Sequence, residues 1–449
     1  MKLKIMNKLK ILIKSIVFTV IFALILSTVN HALVKVDDMG YQNISGFYKE
    51  PGNTLDAVYV GSSNCFVFWN SLLAWKEYGI SVYPYACNSN LFFSTEYLIK
   101  EARKTQPNAT FIVNINSLNE GEVNLQQMRN LIDNMPFSLN KLALIHHMSN
   151  VGDYSFEDRL EFYFPNIRYH SRWSEVISED LDMELNGFKG ASVYKPYLTI
   201  SEDVSLSYNT TNEEIALSEK IISSTEGLLD YCDKENVKVL FVTVPQVKSE
   251  NEMSRYNALN TMIEGRGYPV LNLNDHMDEM GIDIETDFYN RKHTNIHGSV
   301  KFTKYLSEYL IENYNFTDKR KNPDYISWNE AYDEYQGKIA SYTLDLERDF
   351  ELRANDLESP VIRRYKFTDY ASIRWDAVQG AEGYAIYKKA GKTGAWERIL
   401  TTSDLQCEVS IPSTGNVDYY TIVPFYTKNG ETYYGDFLYG GAKITSQTD

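Results

Sequence analysis

Short apolar runs alternate with helical patterns between Asp56 and Tyr314. The run Ala57 to Val60 ends in Gly61, Ser62 and Ser63, and apolar residues at helical spacing follow. This pattern predicts a strand, a tight turn and a helix. Further apolar runs predict four more strands, at 80–86, 110–115, 237–244 and 268–273. Helical patterns separate several of these runs, and the last one covers 298–314. The alternation predicts an α/β fold with a doubly wound parallel sheet in three layers.

The rest of the chain departs from this rhythm in three places. Residues 120–212 show helical pieces without strand alternation, which predicts an insertion over one end of the sheet. Residues 316–358 are highly charged and predict a helical connector. Over 359–449, short strands alternate with turn signals, of which Asn429-Gly430 is the clearest. That spacing predicts a separate all-β sandwich.

The N-terminus combines a basic segment with an apolar one. Five lysines between Lys2 and Lys14 precede the uncharged run Ser15 to Val34. About 20 apolar residues span a bilayer core, and lysines before the span keep the N-terminus in the cytoplasm. Residues 1–34 therefore predict a cytoplasmic basic segment and a transmembrane helix, followed by a tether over 35–55. A cleaved signal peptide is the alternative. The poor cleavage signal at Ser27-Thr-Val29 favours the uncleaved anchor.

Charge and cysteine content limit the classes of partner and cofactor that we expect. The formal net charge is −16, which disfavours a nucleic-acid partner. The four cysteines show neither metal-ligand spacing nor the density of a disulfide framework. We expect no metal and no cofactor. His293 and His297 have the i, i+4 spacing that ligates zinc on a helix, but the sequence assures no third ligand.

Three polar residues follow predicted strands or precede the closing helix. Ser63 lies on the sharp turn after the first strand, where a nucleophilic serine would be exposed. Asn116 follows the third strand. His293 precedes the closing helix, and its loop can reach the carboxyl ends of the strands, where open α/β sheets place their sites. Each also has a structural interpretation: Ser63 as a helix cap, Asn116 as a turn residue and His293 as a solvated loop residue.

The layout resembles the SGNH/GDSL hydrolase superfamily over residues 56–315. It is most similar to the extracytoplasmic branch that includes alginate O-acetylation proteins and the D-alanyl lipoteichoic acid transfer protein. The resemblance implies that Ser63 is the nucleophile and His293 the base. It also implies an oxyanion hole made by the Ser63 N–H, the Ala86 region and Asn116, with Asn114 as a competitor for the last position.

Departures from the family pattern concern three positions. Ser62 stands where the family has aspartate, and Ala86 stands where it has glycine. Asn290 occupies the aspartate position of Asp-x-x-His and is the candidate for orienting His293. Asp287 or a backbone carbonyl are the alternatives. In a serine-protease triad the same acid-to-amide change costs about 10⁴-fold in rate.

Two further features complete the predictions. Arg172 lies in an aromatic part of the insertion and could bind an anionic substrate group; a structural arginine is the alternative. The segment from Trp375 to Tyr387 resembles a fibronectin type III domain, with those two residues as its core aromatics.

The sequence thus predicts a membrane-anchored, extracytoplasmic serine esterase or O-acyltransferase. It would act on acyl groups of a cell-envelope glycan, at the cell membrane. The resemblance implies a membrane acyl-exporting protein as a partner. The alternative is a catalytically degenerate protein of the same fold that serves in surface glycan binding or assembly.

Overall fold

The computed structural model describes residues 2–34, 38–116, 118, 125–151, 154–174, 187–192, 211–246, 248–333, 335–336, 352, 354, 356–390, 397–413, 416–438 and 441–446. The predicted tether and the predicted insertion lie partly outside these residues.

Helices separate the strands of the predicted α/β region, and the region of the predicted insertion adds further helices between β3 and β4. The helices are α1 (Lys2–Leu33), α2 (Asp38–Phe47), α3 (Ser63–Phe68), α4 (Ser71–Tyr78), α5 (Thr95–Ala102), α6 (Leu125–Ile132), α7 (Leu139–Val151), α8 (Phe156–Tyr163), α9 (Pro165–Tyr169), α10 (Glu219–Glu235), α11 (Glu250–Gly265), α12 (Met277–Met280), α13 (Ile284–Asp287) and α14 (Ile296–Tyr314). The strands are β1 (Ala57–Gly61), β2 (Val82–Ala86), β3 (Thr110–Asn114), β4 (Val239–Thr243), β5 (Val270–Asn272), β6 (Phe288–Asn290) and β7 (His293–Thr294). Short 3-10 turns lie at Phe92–Ser94, His170–Ser174 and Pro323–Tyr325.

Strands β1 to β5 form one parallel sheet in the order β2-β1-β3-β4-β5. This is the flavodoxin-like order of a doubly wound sheet, so the predicted three-layer α/β architecture is confirmed. The strand order reverses between β1 and β3, and such switch points are where ligands bind in this architecture. Pro84 is tolerated within β2 because β2 lies at the sheet edge, where a missing N–H donor costs least.

Apolar side chains cover both faces of the sheet. Val58, Val60 and Phe111 face α5, α10 and α11 on one side. Tyr59 and Ile112 face α3 and α14 on the other. Successive residues of a strand point to opposite faces, so the unbroken apolar runs of β1 and β3 supply both cores at once.

The segments on either side of this domain pack against it. Helix α2 lies within the predicted tether, and its Phe47 ring packs against Tyr85 at a centroid distance of 4.4 Å. The described residues among 326–336 are helical, and much of the predicted connector lies outside the described residues. Trp328 is buried there, and its indole N–H donates to Glu50 Oε2 (2.8 Å).

Helix α1 runs without a break over the basic segment and most of the apolar run. Among the residues the structure describes, no helix has both the length and the apolar character needed to cross a membrane. The transmembrane anchor stays a prediction.

The C-terminal region is an antiparallel sandwich, as predicted. Its strands are β8 (Ile362–Lys366), β9 (Tyr370–Trp375), β10 (Gly383–Ala390), β11 (Glu397–Thr402), β12 (Gln406–Ser410), β13 (Val417–Lys428), β14 (Glu431–Tyr434) and β15 (Ala442–Thr445). One sheet has the order β12-β9-β8. The other has the order β11-β10-β13-β14, with β15 also on β13. Asn429 and Gly430 both have positive φ (55° and 82°), which is the turn that this dipeptide favours.

One core aromatic of the sandwich differs from the prediction. Trp375 is buried and packs edge-on against Tyr384, with ring centroids 5.5 Å apart. Tyr387 is only half-buried and packs against Phe437. Tyr384 and Ile386 share the core-facing side of β10, and alternation then places Tyr387 on the opposite side. The assignment of Tyr387 as a core residue was therefore wrong.

Candidate active site

A close backbone contact shapes the turn after β1. A Cβ added to Gly61 would lie 2.8 Å from both the Asn114 Cβ and the Cys65 Sγ, so only glycine fits without displacing them. The chain then enters α3 with Ser63 as its first residue. Ser62 is the N-cap, and its side chain makes no capping hydrogen bond. The hydroxyl of Ser63 contacts a histidine, so the helix-cap interpretation does not describe this serine.

Ser63 and His293 are in hydrogen-bond contact across 230 residues of sequence. The distance from Ser63 Oγ to His293 Nε2 is 2.7 Å. On its other side, His293 Nδ1 lies 3.1 Å from Asn290 Oδ1. The structure therefore brings together three of the side chains that the sequence singled out.

The protonation of the imidazole follows from these contacts. The Lys292 backbone N–H donates to Asn290 Oδ1 (2.8 Å), which identifies that atom as the amide oxygen. An amide oxygen can only accept, so His293 Nδ1 must carry the proton. Nε2 is then the acceptor, and the Ser63 hydroxyl donates to it. This is the tautomer that a general base for Ser63 requires.

The environment of His293 disfavours its charged form. Burial lowers the pKa of His293 to about 4, and the nearby positive charge of Lys292 adds to the effect. Asn290 is neutral and contributes no opposing charge. The imidazole is therefore neutral at neutral pH and free to accept a proton, but it is a weaker base than an ordinary histidine.

The structure assigns Asp287, the alternative orienting group, to another contact. Its Oδ2 accepts from Lys301 Nζ (2.7 Å) and from the Asp283 backbone N–H (2.7 Å). Its backbone carbonyl accepts from the N–H of Asn295 (2.9 Å). Asp287 thus holds the start of α14 against α13, and Asn290 is the residue in contact with the His293 ring.

The start of α14 is capped by Asn295. Its Oδ1 accepts from the backbone N–H groups of His297 (2.9 Å) and Gly298 (3.3 Å). The backbone N–H of His297 is therefore part of the N-terminal cap of α14. Among the described residues, no group of three or more His, Cys, Asp or Glu side chains is placed to hold a metal ion.

The proposed oxyanion residues have specific positions at the sheet edge. Asn116 Oδ1 accepts from the Val244 N–H (2.7 Å), and its Nδ2 donates to the Val244 carbonyl (3.0 Å). The Asn116 side chain therefore bridges the chain segments after β3 and β4. Asn114 is buried and accepts from the Asn116 N–H (3.1 Å). Ala86 is the last residue of β2 and pairs with Gly61. The roles of Ala86 and Asn116 as oxyanion donors stay predictions.

Gln246 is a residue that the sequence reasoning missed. It is 4% exposed and follows β4. Its Nε2 donates to Asn64 Oδ1 (3.0 Å) and to the Lys292 carbonyl (3.2 Å). Asn64 follows the serine in α3 and Lys292 precedes the histidine, so one amide group ties the start of α3 to the turn before His293. The only signal in the sequence was a polar residue at the carboxyl end of a predicted strand.

A buried lysine lies two residues further along. Lys248 Nζ lies 3.4 Å from the centroid of the Tyr256 ring, and burial lowers the pKa of Lys248 well below its usual range. The Tyr256 hydroxyl donates to the Asn116 carbonyl (2.9 Å). This pair therefore supports the backbone of the segment after β3.

Arg172 contacts the N-terminal helix. Its Nη1 donates to the Leu33 carbonyl at the end of α1 (2.6 Å). This contact fits the structural interpretation of Arg172, and its role in substrate binding stays a prediction.

Comparisons with known proteins bear on the C-terminal sandwich. No protein-family model matches the chain, and no curated protein does. Among solved structures, a fibronectin type III domain of human collagen XX is 14% identical, over 20% of this chain and 88% of that chain, with a TM-score of 0.16. An Fn3-like protein from Clostridium thermocellum is 20% identical, over 18% and 88%, with a TM-score of 0.15. FN3tt mut is 18% identical, over 20% and 96%, with a TM-score of 0.16.

The C-terminal region has a fibronectin type III-like fold. Its two antiparallel sheets, with three strands in one and β10, β11 and β13 to β15 in the other, carry this assignment. The fold alone assigns the region no activity.

Proposed function

We propose that the chain is a serine esterase or O-acyltransferase of the SGNH type that acts on acyl groups of a cell-envelope glycan. One observation carries the proposal: Ser63 Oγ lies 2.7 Å from an imidazole nitrogen whose tautomer makes it the acceptor. The position of the pair at the carboxyl edge of a flavodoxin-like sheet supports it.

The reaction follows from the hydrogen bonds. Ser63 Oγ attacks the acyl carbonyl while His293 Nε2 takes the hydroxyl proton. Asn290 Oδ1 holds the Nδ1–H of the imidazolium that forms. The Ser63 N–H, with donors near Ala86 and Asn116, holds the oxyanion. The tetrahedral intermediate expels the alcohol, which takes the proton from Nε2. The acyl group on Ser63 then passes to a sugar hydroxyl or to water, with His293 as the base again.

The hydrolysis of p-nitrophenyl acetate tests this chemistry. We expect Ser63→Ala to abolish turnover while leaving the thermal melt nearly unchanged. Ser62→Ala is the matched control, because Ser62 is the neighbouring serine and its side chain makes no capping hydrogen bond. Equal loss in both variants, or turnover that survives Ser63→Ala, would contradict the proposal.

We also propose that the enzyme is anchored in the cell membrane by its N-terminal segment, with the bulk outside the cytoplasm. The lysines before an uncharged run support this orientation. A membrane acyl-exporting protein is the partner we propose as the source of acyl groups. Membrane fractionation with external protease tests the topology: retention of the full chain and its digestion from outside are expected, and a soluble form lacking the apolar run would contradict it.

A second candidate is a degenerate protein of this fold that binds or assembles surface glycans. The amide of Asn116 favours it, because its Nδ2 donates to the Val244 carbonyl instead of lying free. Asn290 in place of a carboxylate points the same way. Glycan binding by Ser63→Ala and wild type alike, without ester turnover in either, would support this candidate over the enzyme.

A further inference from the structure

We propose that an exposed apolar surface on the insertion rests on the lipid bilayer beside α1. The surface consists of Phe164, Ile167 and Trp173, and is called the interfacial patch below. The inference goes beyond the chemistry of Ser63 and rests on the membrane anchor proposed above.

The interfacial patch exposes large apolar side chains within one short stretch of chain. Phe164 is 49% exposed, Ile167 48% and Trp173 77%. They lie at the N-cap of α9, within α9 and in the 3-10 turn that follows. The three side chains lie within ten residues of chain, on two neighbouring elements that both pack against α1. Exposed apolar groups of this kind mark sites that bind a partner or a membrane.

Contacts with α1 fix where the patch lies along that helix. Both α9 and the 3-10 turn pack against α1. Arg172 Nη1 reaches the Leu33 carbonyl, the last residue of α1, at 2.6 Å. Leu33 lies one residue before the end of the uncharged run at Val34. Since an α-helix rises about 1.5 Å per residue, the patch lies level with the outer end of that run.

Helix α1 also exposes many apolar side chains. The exposed side chains are Ile11, Leu12, Ile13, Ile16, Val17, Phe18, Val20, Ile21, Phe22, Ile25 and Val29. The described part of the chain does not cover these side chains, and the two elements that carry the patch pack against this same helix. A lipid bilayer that contacts both α1 and the interfacial patch would explain why the apolar side chains of both are exposed.

The side-chain types in and beside the patch suit the headgroup level of a bilayer better than the hydrocarbon core of the bilayer. Tryptophan concentrates at the level of the lipid headgroups, where its apolar ring and polar N–H are both satisfied. Arg168 follows Ile167, and its side chain is 43% exposed beside Glu161. Arginine pairs with headgroup phosphates. A phospholipid surface is therefore the occupant to which the structure points. A second copy of the chain is the alternative that the test below separates.

Tryptophan fluorescence of the full chain in liposomes tests the proposal. Trp69, Trp75, Trp328 and Trp375 are buried, whereas Trp173 is exposed. The emission of wild type minus that of Trp173→Phe therefore isolates Trp173. We expect phospholipids brominated near the headgroup to quench most of this difference emission, and aqueous iodide to quench little of it. Quenching by iodide but not by brominated lipid would overturn the proposal. Protection from both quenchers would also overturn it, in favour of a protein contact.

A matched pair at Ile167 supplies the control. Ile167→Glu should reduce the quenching by brominated lipid and raise that by iodide, because it places a charge in the patch. Ile167→Leu should leave both unchanged. Equal quenching in the two variants would contradict the proposal.

Two readouts separate this inference from those on which it rests. A chain that floats with liposomes without quenching of Trp173 would overturn the interfacial patch alone. A chain that fails to float would overturn the anchor as well. Ester turnover is read separately, so loss of the Ser63 chemistry would leave the quenching result intact.

Discussion

Asn290→Asp would place a carboxylate where an amide oxygen now holds the His293 ring. Asn290 Oδ1 lies 3.1 Å from Nδ1, and the backbone N–H of Lys292 already fixes its orientation. Aspartate has the same size and shape as asparagine, and the substitution keeps a hydrogen-bond acceptor at the same position. It therefore tests the charge on the orienting group separately from its geometry.

The expected magnitude follows from what the amide already supplies. A hydrogen bond to a charged group contributes about 1.5–3 kcal/mol, and 1.36 kcal/mol corresponds to one pKa unit. We therefore expect the pKa of His293, which is about 4, to rise by about one to two units. The stabilised imidazolium should raise kcat about 10- to 100-fold. The gain is smaller than the roughly 10⁴-fold loss in a serine-protease triad, because there the amide also imposes the wrong tautomer.

The pH dependence of p-nitrophenyl acetate hydrolysis is the assay. Only neutral His293 accepts a proton, so the rate falls as the pH drops through the pKa of His293. The acid limb should lie near pH 4 in wild type and move upward in Asn290→Asp, whose advantage should therefore be largest above neutral pH. Asp287→Asn is the control and should leave the limb in place, because Asp287 binds Lys301 instead. An unchanged rate and an unchanged limb in Asn290→Asp would refute the reasoning.

Three further predictions concern positioning, stability and domain structure. Gln246→Glu should lower kcat about 10- to 100-fold with little change in KM, because the amide donor that joins Asn64 to the Lys292 carbonyl is lost. The ratio of the variant rate to the wild-type rate should recover as acid protonates the new carboxyl, and a pH-independent ratio would contradict the positioning role. Unfolding by denaturant should show the free energy of unfolding falling by up to about 3 kcal/mol from pH 6.5 to pH 4. In that pH range the unfolded state binds a proton on His293, whereas the folded state does not. His293→Gln should flatten this dependence on pH, and an unchanged dependence would contradict the lowered pKa of His293. A chain ending at Ala340 should keep the cooperative melt of the α/β domain, because the sandwich has its own core, and loss of that melt would place the boundary elsewhere.

The parallel sheet could be predicted because its signal is local. Each strand is a short apolar run bounded by turn residues, and Gly61 marks the close approach to Asn114 and Cys65. The strands of the sandwich could be predicted in the same way, and so could the turn at Asn429 and Gly430. The proximity of Ser63 and His293 followed once both were placed at the carboxyl edge of that sheet.

The parts that could not be predicted depend on alignment between distant segments. Asn116 bridges to Val244 only because β3 and β4 are neighbours in a particular register. Gln246 joins Asn64 to Lys292, two residues that no pattern in the sequence connects. The error at Tyr387 has a local cause, because the face of a strand inverts with a shift of one residue. Arg172 meets Leu33 through a packing of α1 on the insertion that neither segment signals alone.

Labelling with a fluorophosphonate, followed by peptide mass spectrometry, tests the central claim most directly. A serine that a neighbouring base activates attacks the phosphorus of such a probe and displaces fluoride, so the adduct marks an activated serine. We expect one adduct, on Ser63, that is lost in His293→Ala although the serine remains. No adduct on Ser63, or labelling that persists without His293, would contradict it.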